Sequence, residues 1–246
     1  MLPVLQIGPA AIQLPGLLLL VGVWVGSFLA ERQARRLGLP GDEVERLIFL
    51  ALLAGVIGAR LGYALSYLEV YLRQPLALLA LTPFTLAPEI GGAVGLIAAV
   101  IYAQRKGLPL WATMDALTPG FAGCAVGVAL AHLAGGDAFG APSSVPWAIE
   151  LWGTSRHPTQ VYELVAALTI LWLSLRVRLA APFAGFAFGG FVALTAVARL
   201  VIEGVRGDSI LWFGSLRAAQ LVSLALVLAA LTLLRRLAQR AHQPGS

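Results

Sequence analysis

Charge is what this 246-residue chain has least of. Asp, Glu, Lys and Arg together make up 12% of it, against roughly 25% in soluble domains. With 59% hydrophobic residues, that scarcity argues against a soluble globular domain, and the hydrophobicity argues against disorder. Cysteine is nearly absent: Cys124 stands alone, so the chain can form neither an intramolecular disulfide framework nor a multi-cysteine metal site. Three histidines, His132, His157 and His242, are too few for a histidine-rich metal centre, and no metal or other cofactor is expected. No Gly-x-Ser-Gly falls inside an apolar run, which disfavours an intramembrane serine protease. The charge that is present has a sign, +5 net. In so apolar a chain a basic excess marks cytoplasmic loops, so no nucleic-acid partner is expected.

What the chain does have is long apolar runs. A bilayer span needs about 20 apolar residues, and seven stretches are candidates: Ile12–Ala30, Leu47–Tyr67, Ile90–Ala103, Leu110–Leu133, Val161–Leu175, Ala180–Ile202 and Ala218–Leu234. The third and fifth are short and are expected to extend into flanking polar residues. Leu76–Leu86, punctuated by Pro75, Pro83 and Pro88, is too short to span and reads as an interfacial or re-entrant piece. Arg32, Arg35, Arg36, Arg46, Arg105, Lys106, Arg176, Arg178, Arg235, Arg236 and Arg240 fall on one side of this arrangement. Only Arg73, Arg156, Arg206 and Arg217 fall on the other. The positive-inside rule then puts the N-terminus outside and the C-terminus in the cytoplasm. The expected fold is an all-α integral membrane protein of seven transmembrane helices, residues 1–246 forming one polytopic domain. Its 27 glycines suit close helix packing in lipid.

An ionisable side chain inside a span is costly and points to function. Arg60 lies about 14 residues past Arg46, in the outer half of its span at about 1.5 Å per residue. Arg199 and Glu203 are four apart, on one helix face near the outer end of the sixth span. His132 closes the fourth span on that side, and Asp137 follows in a Gly-Gly-Asp-Ala-Phe-Gly loop. His157 and Gln160 open the fifth span, with Tyr162 and Glu163 up to a turn deeper; Glu89 opens the third. Structural readings stand beside these. Arg199 and Glu203 suit a plain ion pair, Arg60 can snorkel, His132 suits a helix end, and His157 can start a helix with Pro158 in its first turn. Asp115 reads as structural, Gly41–Arg46 as a helix start, Cys124 as packing and His242 as idle. Arginine presents a fork that matches phosphate, and at bilayer depth the obvious phosphate bearer is a phospholipid headgroup. Carboxylate or imidazole groups beside it supply a general base. The residues by themselves thus describe a protein that binds, and has the means to transform, an outer-leaflet phospholipid.

Four ordered motifs carry a resemblance. His157-Pro158-Thr159-Gln160-Val161-Tyr162-Glu163 is similar to H-P-[S/T]-Q-x-Y-E of the bacterial prolipoprotein diacylglyceryl transferases. Glu43-Val44-Glu45 followed by Gly58-Ala59-Arg60-Leu61-Gly62-Tyr63 resembles that family's acidic segment and G-x-R-[L/I]-G-Y. Arg199-Leu200-Val201-Ile202-Glu203 with Arg206 resembles R-F-x-V-E-x-x-R. Asp137-Ala138-Phe139-Gly140 leading to Val145-Pro146-Trp147 is similar to its G-E-x-x-G…P-W loop. Order and spacing agree over roughly residues 8–236. The resemblance implies transfer of the diacylglyceryl group of phosphatidylglycerol to the lipobox cysteine of a preprolipoprotein signal peptide, at the outer face of the bacterial cytoplasmic (inner) membrane, with glycerol phosphate leaving. The acceptor must become a thiolate, and the leaving phosphate needs positive charge. On this reading Arg60, Tyr63, Gly140, Gln160, Tyr162, Arg199 and Arg206 bind substrate. His132, Asp137, His157 and Glu203 are the catalytic candidates, with Glu89 a further possible base.

The chain departs from the family pattern at four places. Ile90 stands where a histidine precedes Gly-Gly. Ala129 and His132 stand at the arginine and asparagine of R-x-G-N. Asp137 replaces a glutamate, and Pro15 a tyrosine. The alternatives are a catalytically silent homologue that binds phospholipid or lipoprotein precursors and, less well supported, a small transporter, whose path across the bilayer the one-sided polar residues do not supply.

Overall fold

The computed structural model describes residues 4–7, 10–79, 85–177, 181–212 and 215–242. Within them the chain is helical: α1 (Leu14–Arg36), α2 (Gly41–Ser66), α3 (Leu68–Arg73), α4 (Pro88–Arg105), α5 (Leu110–Gly135), α6 (Thr159–Val177), α7 (Phe186–Glu203) and α8 (Ala218–His242). Three antiparallel strand pairs accompany them: β1 (Val4–Ile7) with β2 (Ala10–Gln13) ahead of α1, β3 (Ile149–Leu151) with β4 (Thr154–Arg156) between α5 and α6, and β5 (Leu211–Trp212) with β6 (Leu216–Arg217) between α7 and α8. The strand pairs are additions to the expected all-α architecture. Seven long helices fall on the seven apolar runs. Five of them, α1, α2, α5, α7 and α8, are long and apolar enough to cross a membrane. The other two, α4 and α6, coincide with the short runs and gain length from polar residues, Glu89, Gln104 and Arg105 in one and Thr159, Gln160 and Arg176 in the other. The first run is displaced: Ile12 lies in β2, and the helix starts at Leu14 and continues to Arg36. Of the proposed interfacial piece, Pro75–Leu79 makes one 3₁₀ turn. Residues 80–84, with Pro83, lie outside the described residues, as do Arg178 and Ala180.

The usual inside–outside preference is reversed. Leu20, Trp24, Phe49, Leu65, Leu96, Trp172 and Val201 are exposed, while Ala30, Ala59, Ala116, Ala122, Thr113 and Thr118 are buried. In water such apolar faces would be an aggregation hazard; in hydrocarbon they are the solvent-exposed surface, and small residues fill the seams.

The chain forms two compact units, residues 34–113 and residues 1–33 with 114–246. In the first, α2 and α4 meet through glycines. A Cβ on Gly91 would lie 2.6 Å from the Gly55 carbonyl oxygen, and one on Gly95 would lie 2.7 Å from that of Ala51. The Ala87 N–H, at the N-cap of α4, donates to the Ala59 carbonyl at 2.9 Å. At the other end Glu43 accepts from the Tyr102 hydroxyl and from Lys106 Nζ. In the second unit, α1 and α5 approach at Gly22 and Gly127, where an added Cβ would sit 2.8 Å from the opposing Cα. On α7, Gly189 receives the Leu234 side chain of α8. Asp115 of α5 ties down the start of α7, accepting the backbone N–H of Gly185 at 2.6 Å and of Phe188 at 2.9 Å. Those are orphan donors of a helix N-terminus, and a carboxylate there also meets the positive end of the helix dipole.

Candidate functional site

The site is built where α5 ends, α6 begins and α7 ends. Thr159 and Gln160, in the first turn of α6, are completely buried. They hold the loop that follows α5: the Thr159 hydroxyl donates to the Ala138 carbonyl at 2.5 Å, and Gln160 Nε2 donates to the Asp137 carbonyl at 3.0 Å. That loop makes a tight reversal, with Gly136 at φ 81° and Ala138 at φ 55°. It then threads between the start of α6 and the turn after α7. The Ala141 N–H donates to Val205, the Gly207 N–H to Phe139 and the His157 N–H to Ala141. Gly140 has no room for a side chain, since a Cβ would lie 2.2 Å from the His157 carbonyl oxygen. Arg156 closes the arrangement, donating to the Gly140 carbonyl at 3.2 Å with its guanidinium 5.0 Å from the Phe139 ring centre.

Glu163 is the hub. One carboxylate oxygen faces His132 Nδ1 at 2.8 Å; the other accepts from Arg206 Nη1 at 2.7 Å and lies 3.5 Å from Arg199 Nη1. Arg206 also forks onto Asp208, at 2.8 Å from Nε and 2.6 Å from Nη2. Glu203, 1% exposed, lies 3.2 Å from Arg199 Nη2 and 3.8 Å from Arg206 Nε. Arg217 donates to the Arg206 carbonyl at 2.9 Å and to the Ser209 hydroxyl at 2.8 Å, and also reaches the Glu203 carbonyl.

The two arginines of the pattern are not equivalent. The Arg206 side chain is 9% exposed and all three of its nitrogens face carboxylates. Burial pulls its pKa down, and the hydrogen bond and charge of Asp208, with the charges of Glu163 and Glu203, more than reverse this, so the guanidinium stays above its ordinary value. Arg206 is a structural cation. The Arg199 side chain is 42% exposed, and its two ion pairs leave some of its five N–H donors unused. It lines a cleft of about 260 Å³ with His132, Ala129 and Ala125 of α5, Glu163, Ala166 and Ile170 of α6, and Thr195 and Ala198 of α7. A second hollow of about 170 Å³ shares Ile170 and continues past Leu173, Ser174, Phe191 and Leu194. From Glu163 to Ser174 along α6 is about 16 Å at 1.5 Å per residue, about half the roughly 30 Å hydrocarbon core of a bilayer. The cleft is charged at one end, and the hollow beside it along α6 is lined by apolar side chains apart from Ser174.

Not all the candidates assemble here. His132, Glu203, Arg199 and Arg206 do. Gln160 and Gly140 shape the loop beside them. The Asp137 side chain is exposed; its backbone carbonyl, not its carboxylate, meets Gln160. His157 lies 3.5 Å from the Tyr162 hydroxyl, which accepts from Trp147 Nε1 at 2.7 Å. Arg60 and Tyr63 belong to the unit of residues 34–113. The Arg60 guanidinium donates to the carbonyls of Thr85 and Ala77 and lies 5.6 Å from the Tyr71 ring centre. Tyr63 packs on Tyr67, with ring centres 4.7 Å apart. Ile90 packs over Gly62 of α2, and Glu89 is exposed in the first turn of α4. Cys124 lies against the Gly22 carbonyl. Among the described residues no three His, Cys, Asp or Glu side chains are placed to hold a metal ion. Glu163, Asp208 and Arg217 are the members that the candidate set lacked. Only Glu163 carried a signal, as a carboxylate inside an apolar run.

Comparison with known proteins finds relatives over most of the chain. The family model described as prolipoprotein diacylglyceryl transferase matches residues 3–236. A phosphatidylglycerol–prolipoprotein diacylglyceryl transferase of Thermus thermophilus is 35% identical, over 94% of this chain and 96% of its own length. Proteins of the same name from Shouchella clausii and Synechococcus elongatus are 32% and 31% identical. They align over 93% and 90% of this chain, and over 87% and 82% of their own lengths.

Proposed function

The chain belongs to the prolipoprotein diacylglyceryl transferase family, and on that premise we propose that it moves the diacylglyceryl group of phosphatidylglycerol to the thiol of a prolipoprotein. The acceptor is the lipobox cysteine of the signal peptide, and glycerol phosphate leaves. The observation that carries the reading is the cleft with Arg199 at one end and an apolar wall along α6 and α7. The phosphate docks on Arg199, whose spare N–H donors stabilise charge as it develops on the leaving oxygen. An acyl chain lies along Ala166, Ile170 and Leu173. Gln160, Tyr162 and Gly140 keep the adjoining loop in shape and Arg206 holds the carboxylates in register; Arg60 and Tyr63, in the unit of residues 34–113, are assigned to substrate binding on the family's motif alone. The protein sits in the bacterial cytoplasmic membrane as one polytopic domain of seven spans, N-terminus outside and C-terminus in the cytoplasm. That orientation puts the cleft's polar end at the outer face.

Both substrates are tethered to the bilayer, so positioning supplies much of the acceleration. The test is purified full-length protein in detergent with phosphatidylglycerol and a lipobox peptide. The expected result is a diacylglyceryl mass increment on the peptide cysteine, matched by free glycerol phosphate. Ala129, which leaves this end of the cleft with one cation, favours a second reading, a silent binder. Lipid bound without any increment, beside an active relative, would establish that reading instead.

A further inference from the structure

We propose that His132 and Glu163 form the base that activates the acceptor thiol, an assignment that rests on the transferase reading and specifies its proton-transfer step. His132 sits in the last turn of α5 and Glu163 in the second turn of α6, so the pair bridges two helices across the cleft's polar end. The 2.8 Å contact is between Nδ1 and a carboxylate oxygen. A carboxylate accepts, so Nδ1 carries the ring proton and Nε2 keeps its lone pair. Among the described residues nothing bonds Nε2. Glu163 is held in place from its other side by Arg206 and Arg199. A base oriented in this way by a carboxylate that is itself fixed is the arrangement that general-base catalysis on a thiol or hydroxyl requires.

The charged groups around the ring are Glu163 on α6, Arg199 and Glu203 on α7 and Arg206 in the following turn. Arg199 is paired with Glu203, and Arg206 with Asp208. The other candidates lack such a setting. Among the described residues the His157 ring has only the Tyr162 hydroxyl, at 3.5 Å, as a polar partner, Asp137 is exposed, and Glu203 is buried. His132 and Arg199 line the same cleft, so the proton acceptor and the phosphate-binding cation serve one reacting centre. The step balances within the two substrates. The S–H proton passes to Nε2, and the sulfur forms a bond to the terminal glyceryl carbon. The bond from that carbon to the phosphate oxygen breaks, and glycerol phosphate leaves with the electron pair. The imidazolium then returns its proton to the phosphate or to water. Glu163 positions the ring and does not touch the substrate.

The experiment follows kcat/KM against pH for full-length protein with phosphatidylglycerol and a lipobox peptide. Wild type should lose activity on the acid side as one group protonates. The His132→Asn variant keeps an N–H toward Glu163 but has no basic nitrogen. It should fall about 10²–10⁴-fold and lose that acid limb, while still binding phosphatidylglycerol vesicles. In Glu163→Gln kcat/KM should fall and the acid limb should change position, because the ring has lost the carboxylate that orients it. Added imidazole should partly restore His132→Ala, a rescue that a packing role would not give. His132→Asn within about threefold of wild type, or with an unchanged acid limb, overturns the assignment and leaves the transferase reading standing. If His132→Asn does not fold, a wild-type profile without an acid limb, or the absence of imidazole rescue in His132→Ala, overturns it in the same way. No transfer by wild type overturns both.

Discussion

Replacing Arg206 and replacing Arg199 by glutamine should damage this protein in two different ways. The Arg206 side chain is 9% exposed and faces three carboxylates. Removing one partner of such a cluster leaves buried like charges uncompensated and costs about 3–5 kcal/mol. Folding stabilities are typically about 5–15 kcal/mol, so Arg206→Gln should lower the denaturation midpoint in detergent sharply. Most of any activity loss should track the fraction unfolded, with a smaller part from Glu163 losing one of its anchors. The Arg199 side chain is 42% exposed, where an ion pair contributes up to about 1 kcal/mol, so Arg199→Gln should stay folded. What it loses is a charge-assisted bond to phosphate, about 1.5–3 kcal/mol, or about 10- to 150-fold in kcat/KM for phosphatidylglycerol. Circular dichroism melts and the mass-increment assay, run on one preparation of each variant, separate the two effects. A stable, inactive Arg206→Gln beside an unfolded Arg199→Gln would refute the division of labour drawn from their exposure.

Asp115→Ala should destabilise by about 2–4 kcal/mol, because two N–H groups at the start of α7 lose a charged acceptor; Asp115→Asn, which keeps an acceptor, should recover part of this. Chemical denaturation in detergent measures both, and transfer per folded molecule should not change. Gly140→Ala should open the 137–142 loop, since its Cβ would meet the His157 carbonyl at 2.2 Å and neither backbone can yield. Limited proteolysis should then cut there while helix content by circular dichroism is kept.

The long helices and their order were legible because apolar runs of this length have few other uses; the short α3 was not. The polar flanks of α4 and α6 were anticipated for the same reason, as those two runs were too short alone. Within one helix, Arg199 and Glu203 were readable as neighbours at i,i+4. The contacts that make the site were not readable in that way. Glu163 meets His132 across 31 residues and Arg206 across 43, and no local periodicity encodes such pairs. Asp208 and Arg217 looked like ordinary loop charges until the turn after α7 brought them onto Arg206. The β3–β4 hairpin was hidden by its turn, Trp152 at φ 56° followed by Gly153 at φ 69°. Glycine fits that left-handed pair and tryptophan does not.

The glycine contact between α1 and α5 has a mechanical consequence. At Gly22 and Gly127 the two backbones touch with no side chain between them to change rotamer as one helix slides past the other. Such a seam is stiff. It either stays closed or comes apart, because small displacements bring main-chain atoms into collision. The seam between α6 and α7 is of another kind, padded by Ala166, Ile170, Phe191 and Leu194 around hollow space. Side-chain rearrangement there gives compliance at little cost. A lipid tail approaching sideways through the bilayer would enter through that pliable joint, with the rigid α1–α5 joint as the fixed frame against which it opens.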